Sequence, residues 1–411
     1  HNLIQINSQQ LPLKMLPHVL FVRIIIVVTL TTLQILGTAE ARTYVDVNPK
    51  PLSQTKCISD NHLSPYPKWV GATCSCLLFT STSTECFLCN SESSASYGRH
   101  CNQSPDGVDL LLSTHTSKYQ SFQIISEMNY DHVYYTNLYI EGHLQSSTLD
   151  EYIYHEALVH PALLAHKKPK RVVILGGGEG ATLRTVLSHQ NVVQSCTMVE
   201  LDIDIVNQCK KYMPKMSQGA FESNKTELII SDAYAWVKNY RRRGFGIGGY
   251  DKTKEKKYDV AIMDILDPED IVSVNGSAAA RLYHDLFFKY VAKRVLSKRG
   301  IFVMQAGEIS ATDRYHMTKY DIIKKMLSQY YKKVIGYMVY VPSFGSEWGF
   351  LLGCKKVKDC NRISHNNAGI FDVEFLENEI ERRKINDKHL KYYDHITHQR
   401  LFSMPPSIRL T

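Results

Sequence analysis

The chain has 411 residues, 44% of them hydrophobic and 10% aromatic, and a formal charge of +8. That length and apolar fraction exclude a disordered or fibrous chain and suffice for a full α/β domain with smaller appendages. The positive charge is dispersed: its densest runs, Lys167–Arg171, Arg241–Arg243 and Lys252–Lys257, fall at element edges, which favours solvated surface and gives no nucleic-acid partner.

From Met15 the chain has the form of a secretory signal. His18 and Arg23 supply a weak basic region, Ile24–Leu36 the apolar core, and Ala39-Glu-Ala41 a small-x-small cleavage site. Residues 1–41 are therefore expected to be leader and signal peptide, with a secreted or secretory-pathway protein as the result. An uncleaved anchor and a cytoplasmic protein are the alternatives. The apolar run is shorter than the about 20 residues of a membrane helix, so no stable span is expected. Residues 42–107 are rich in Ser, Thr, Cys, Asn and Pro and carry Cys57, Cys74, Cys76, Cys86, Cys89 and Cys101. An even number of cysteines after a signal favours disulfides. Read as a zinc knuckle, Cys74-x-Cys76 with Cys86-x-x-Cys89 has one half at the wrong spacing, so no metal site is expected. Cys196, Cys209, Cys354 and Cys360 are scattered, and the first two suit inert core thiols.

Residues 108–165 read as a small β domain. Tyr119–Ile125, Val133–Tyr135 and Asn137–Ile140, the last followed by Glu141-Gly-His143, predict a small antiparallel sheet. Tyr152–Ala165 then has helical spacing and stops before Pro169. From 166 to 411 strands and helices alternate. The strands are Arg171–Leu175, Ser195–Glu200, Glu227–Ser231, Asp259–Asp264, Gly300–Gln305, Lys333–Val341 and Gly349–Cys354. The helices are Ala181–Ser188, Ile203–Met213, Ala233–Tyr240, Ala280–Leu296, Tyr315–Tyr330 and Val373–Arg383. This pattern predicts an α/β fold with a doubly wound, seven-stranded, Rossmann-like sheet.

The chemistry concentrates at strand ends. Val172–Leu175 runs into Gly176-Gly-Gly-Glu-Gly180, and such a turn lets a nucleoside approach the backbone closely. Gly176 and Gly178 belong to that turn, and Glu179 puts an anion in it, which suits a cationic ligand and repels a phosphate or carboxylate. Glu200 ends the next strand, where an acid takes the ribose hydroxyls. Asp232, followed by Ala233, is suited to an adenine amino group, or simply to capping the helix after it. Asp264 ends a buried strand, which is costly for a carboxylate unless it is used or paired. Asp267 before Pro268 adds another acid, with a plain turn as its bland reading. Together they predict an adenosyl ligand beside a pocket for amines.

At these residues the chain resembles the spermidine/spermine synthase family of aminopropyltransferases, and within it the thermospermine synthases. The resemblance spans 117–409 and is carried by Lys118-Tyr-Gln120, Leu149–Glu156, Val159–Leu164, Gly176–Gly180, Val199–Asp202, Ser231–Ala233, Asp264–Pro268, Gln305–Gly307, Val341–Phe344 and Trp348-Gly349. It implies transfer of an aminopropyl group from decarboxylated S-adenosylmethionine to a polyamine, with release of methylthioadenosine. The favoured reaction is spermidine to thermospermine or spermine, with putrescine as the other acceptor. No cofactor is implied beyond that co-substrate.

The resemblance also assigns roles. Donor binding falls to Gln120, Gly176, Gly178, Glu179, Glu200, Asp232 and Ala233. Asp264 becomes the proton acceptor, with Asp267 and Tyr154 aligning the amine. The acceptor would meet Tyr154, His155, Glu179, Asp267, Phe344 and Trp348. A homodimer or homotetramer built through the small sheet is implied as well. Three departures from spermidine synthases stand out: Glu179 replaces their aspartate, Phe344 their tyrosine, and Glu269–Gly276 lacks their Gly-Pro lid. The competing readings are a methyltransferase using intact S-adenosylmethionine and a non-catalytic secreted polyamine-binding protein. Glu179 and the lack of an Asn-Pro-Pro-Tyr motif weigh against the first, and the retained set of acids against the second.

Overall fold

The computed structural model describes residues 77–78, 86–87, 110–128, 133–241, 256–267, 280–309, 319–364, 371–385 and 390–405. The signal-like amino end, the pairing of the six cysteines from Cys57 to Cys101 and the Glu269–Gly276 loop lie outside these residues. Among the described residues no helix is long and apolar enough to cross a membrane. In the cysteine-rich segment, β1 (Leu77–Leu78) and β2 (Cys86–Phe87) pair antiparallel.

A four-stranded antiparallel sheet follows, made of β3 (Leu110–Thr116), β4 (Ser121–Met128), β5 (Tyr134–Ile140) and β6 (His143–Ser147) in that order. β3 and β6 go unread in the sequence, because Ser113–Thr116 and Gln145–Ser147 give them no apolar alternation. Their pairing comes from neighbouring backbone instead. One face of the sheet buries Phe122, Ile124, Leu138 and Ile140 against Ala181, Ile205, Cys209, Met213 and Met216 of the main domain. That packing brings Gln120, at the start of β4, to the main sheet's ligand edge.

The main sheet has seven strands: β7 (Arg171–Gly176), β8 (Ser195–Glu200), β9 (Thr226–Ile230), β10 (Tyr258–Asp264), β11 (Leu296–Glu308), β12 (Lys333–Val341) and β13 (Ser346–Cys354). Their spatial order is β12-β13-β11-β10-β7-β8-β9, and β13 runs antiparallel to both its neighbours. Alternate residues feed opposite cores. Val172 and Ile174 of β7 face one cluster, Val173 and Leu175 the other. The chain leaves β7 for β8 on one side and returns to β10 on the other, so the strand order reverses between β7 and β10. A crevice opens at the carboxyl ends of the strands at such a point.

The helix Glu151–Ala165 was grouped by position with the small sheet, but its side chains pack in the core of the large one. It is buried nearly all round, so polar groups such as Glu151, His155, Glu156 and His160 must find partners inside. The segment Ala280–Leu296 departs from the single helix its periodicity predicts. It divides into a 3-10 turn (Ala280–Tyr283), a helix (Asp285–Tyr290) and a π turn (Val291–Val295). His284 between them accepts a hydrogen bond from the Leu286 amide and caps the helix. Leu296 then starts β11, where its side chain is fully buried as a strand residue. Cys354 and Cys360 form a disulfide that ties the end of β13 to the short helix Val357–Cys360, a pairing that six residues of sequence did not announce. Cys196 and Cys209 are free and buried, and burial pushes both thiols up, as inert core thiols require.

Candidate active site

One cavity of about 370 Å³ opens at the β7/β10 crevice. Every residue assigned to the site from the sequence borders it. Gln120, Gly176, Gly178, Glu179, Glu200, Asp232 and Ala233 line the side of β7, β8 and β9, while Tyr154, His155, Asp264, Asp267, Phe344 and Trp348 line the other.

The glycine turn is set by close approach. Asp264 is in register with Gly176 on the adjacent strand, and a Cβ on Gly176 would lie 2.1 Å from the Asp264 carbonyl oxygen. Gly176 also has φ +88°, in the left-handed region that favours glycine. At Gly178 a Cβ would meet Ile205 at 2.7 Å and a Glu200 carboxylate oxygen at 3.2 Å. The turn is thus pressed between the two acids that end β8 and β10.

Asp264 is held at both oxygens. Tyr154 donates its phenol hydrogen to one at 2.9 Å, and Thr182 its hydroxyl to the other at 2.6 Å. Burial and the neighbouring Glu179 charge keep this carboxyl above the usual range, against the opposing pull of His155, Thr182 and Tyr154. Burial, then Asp264 itself, holds the Tyr154 phenol well above its ordinary value, so it remains a donor. Tyr154 also packs edge-on to Phe344, with ring centres 6.1 Å apart, and Phe344 lies 4.8 Å from Trp348. These rings form an apolar wall of the cavity. The buried indole N–H of Trp348 has no acceptor among the described residues.

His155 borders the cavity and is lodged between two glutamates. Its Nδ1 lies 2.7 Å from the Glu151 carbonyl and 3.0 Å from the Glu151 carboxylate, and its Nε2 lies 3.0 Å from Glu179. Both nitrogens are spent on protein oxygens. Burial would lower the imidazole, but the hydrogen bonds from Glu151 and Glu179 override it and raise it to about 10. Glu151 is drawn down to about 2 despite its burial, by His155 and by Arg184 at 2.7 Å. Ligand-capable atoms of His155, Glu179 and Asp264 lie within 4.8 Å of one another. Of these atoms, the His155 nitrogen already faces the Glu179 carboxylate at 3.0 Å.

At the end of β8, one Glu200 oxygen accepts from the Leu201 and Asp202 amides at 2.7 and 3.0 Å. Burial raises this carboxyl to about 7 against those two amides. Asp232 caps the helix after it, as one of its two readings expects. One oxygen caps the helix at the Ala235 amide, 3.1 Å away, and the other pairs with Arg281 at 2.8 Å, while the residue borders the cavity. Gln120 donates to Asp202 at 3.2 Å, which fixes it over the glycine turn's side of the cavity.

A profile of the spermine/spermidine synthase domain matches residues 151–364. The chain belongs to the spermine/spermidine synthase family. The polyamine aminopropyltransferase of Pyrobaculum aerophilum is 37% identical to it over 298 residues, 72% of this chain and 89% of the relative. Thermospermine synthase ACAULIS5 of Arabidopsis thaliana is 34% identical over 245 residues, 60% of this chain and 64% of its own. A spermidine synthase crystallised with the transition state analogue AdoDATO shares the fold, with a TM-score of 0.57 at 23% identity over 73% of this chain and 87% of that one.

Five side chains of this family member take part in the site without having been assigned to it. Thr182 holds Asp264, and Glu151 with Arg184 holds His155. Asp202 caps the helix Ile203–Tyr212 and receives both Gln120 and Ser117. Gln305 donates to the Ile265 carbonyl at 2.9 Å and to Asp267 at 3.3 Å, and its amide also meets the Tyr283 hydroxyl at 2.9 Å. Asp202 and Gln305 lie in the family motifs, and that was the available signal. Glu151 lies in the Leu149–Glu156 motif as well, whereas nothing local marks Thr182 or Arg184.

Proposed function

We propose that this chain transfers an aminopropyl group from decarboxylated S-adenosylmethionine to a polyamine, releasing methylthioadenosine and needing no resident cofactor. The observation that carries the reading is Asp264, fixed by Tyr154 and Thr182 beside Glu179 at the floor of the cavity. The acceptor amine is protonated in water, with a pKa near ~10 as for lysine, and cannot attack in that form. Asp264 takes its proton, and its raised basicity suits the task. The nitrogen lone pair then forms a bond to the methylene beside the sulfonium. The carbon–sulfur bond breaks, and its electron pair leaves the sulfur as a neutral thioether. Asp267 and Tyr154 align the amine, Glu179 attracts the donor's ammonium and repels the carboxylate of intact S-adenosylmethionine, and Glu200 and Asp232 receive ribose and adenine.

Spermidine is the favoured acceptor, giving thermospermine or spermine, with putrescine second. Support comes from Phe344 in the apolar wall and from the likeness to a thermospermine synthase. The small sheet, with β3 and β6 at its edges, supports a homodimer or homotetramer. Mass spectrometry of products from the decarboxylated donor with putrescine, spermidine and spermine offered separately tests the reading. A single aminopropylated product bears it out, and methyl transfer from intact S-adenosylmethionine would replace it with the methyltransferase reading.

A further inference from the structure

We propose that His155 is a buried, permanently protonated imidazolium that fixes Glu179 and holds Asp264 in its ionised form. His155 is thereby a positioning residue, acting through the two carboxylates and not by touching the acceptor. The inference rests on Asp264 being the proton acceptor only for its kinetic consequence.

Geometry alone gives the protonation. The Glu151 carbonyl oxygen 2.7 Å from Nδ1 can only accept, so Nδ1 carries a hydrogen. Nε2 faces the Glu179 carboxylate at 3.0 Å, and a proton between an imidazole and a carboxylate resides on the more basic imidazole. Arg184 clamps the Glu151 carboxylate from its other side at 2.7 Å, so Glu151 stays anionic and keeps drawing on His155. The ring is 3% exposed, so water competes little for these contacts.

The groups facing this pair come from every element around it. The helix Glu151–Ala165 contributes Glu151 and Tyr154; the turn after β7 contributes Glu179, and the helix Ala181–Leu187 contributes Thr182 and, through Glu151, Arg184. The acid of β8, Glu200, lies on the far side of Glu179. Past β10 stand Asp264 and Asp267, with the Tyr283 phenol behind them. Phe344 and Trp348 close the remaining side without charge. Carboxylates therefore outnumber cations here, and His155 is the described cation in contact with Glu179 near Asp264. Two anions this close would otherwise share a proton, as like charges in one site do. A neutral glutamine at 155 would keep a hydrogen bond to Glu179 but supply no charge.

The test is the titration of Asp264, followed by carboxyl 13C NMR and assigned with Asp264→Asn, in the wild-type chain and in His155→Gln. The 15N shifts of His155 are read alongside. We expect both ring nitrogens of His155 to stay protonated from pH 6 to 9. In His155→Gln the Asp264 midpoint should move to higher pH. The acidic limb of kcat/KM should move with it, so that activity at pH 6 relative to pH 8.5 falls about tenfold, the effect of losing one opposite charge at this range. A neutral His155 at pH 8, or an Asp264 midpoint unmoved in His155→Gln, overturns the proposal. If His155→Gln does not fold, the wild-type 15N shifts still decide it. The expected titrations in a chain that transfers no aminopropyl group would support the electrostatic role and sink the functional reading alone.

Discussion

Tyr154 and Asp264, 110 residues apart in sequence, meet at 2.9 Å, with the phenol donating to the carboxylate at the floor of the cavity. The bond links the helix entering the main domain to the end of its fourth strand in sequence order. The same Tyr154 ring packs against Phe344, which in turn packs against Trp348.

Substituting Asp264→Asn keeps the shape and removes the proposed proton acceptor. We expect aminopropyl transfer to fall about 10²–10⁴-fold, as for loss of a general base. Methylthioadenosine affinity, measured by calorimetry, should hardly change, because Glu200 and Asp232 border the other end of the cavity.

Tyr154→Phe and Thr182→Val each delete one donor to Asp264. A hydrogen bond to a charged group contributes about 1.5–3 kcal/mol, so kcat/KM should fall about 10–100-fold in either variant. Loss of a donor to the ionised form raises a carboxyl further, so the acidic limb of the pH profile should move to higher pH. Limbs that coincide with wild type would show that these hydroxyls do not tune Asp264.

Glu200 stands at about 7 in the folded protein against an ordinary 4.5. Between those values the folded protein holds a proton that the unfolded chain has released, so ligand-free stability should decline as pH rises through that window. Methylthioadenosine binding should strengthen over the upper part of the same range, because the ionised carboxylate accepts from ribose hydroxyls more strongly. In Glu200→Gln both trends should vanish, and affinity should drop about tenfold or more. Denaturant midpoints and calorimetry from pH 5 to 8.5 measure the two.

Gly176→Ala would drive a methyl group to 2.1 Å from the Asp264 carbonyl oxygen at a φ of +88°. The left-handed strain alone costs about 1–2 kcal/mol, and the clash adds to it. Chemical denaturation should show a loss of about 3 kcal/mol or more, or no folded protein. Near wild-type stability would mean that the glycine turn adapts.

The sequence by itself determined the seven strands of the main sheet, their acidic ends and the glycine turn. Continuous apolar runs and the residues that end them are local properties, and parallel strands at a reversal of order send those ends to one crevice. Glu179, Glu200, Asp232 and Asp264 were legible for that reason, as strand-end residues whose neighbours in space follow from topology. Tertiary structure alone decided the rest. β3 and β6 pair although their own residues do not alternate, and Leu296 leaves a helical pattern to enter a buried strand. Cys354 meets Cys360, and Thr182 meets Asp264. His155 is the sharpest case. Its neighbours in sequence, Tyr154 and Glu156, point to Asp264 and to the amides of Lys391–Tyr393, while His155 lodges between two glutamates. A helix buried on every side carries no amphipathic stripe to say which residue faces what, so only packing could set the charge of that ring.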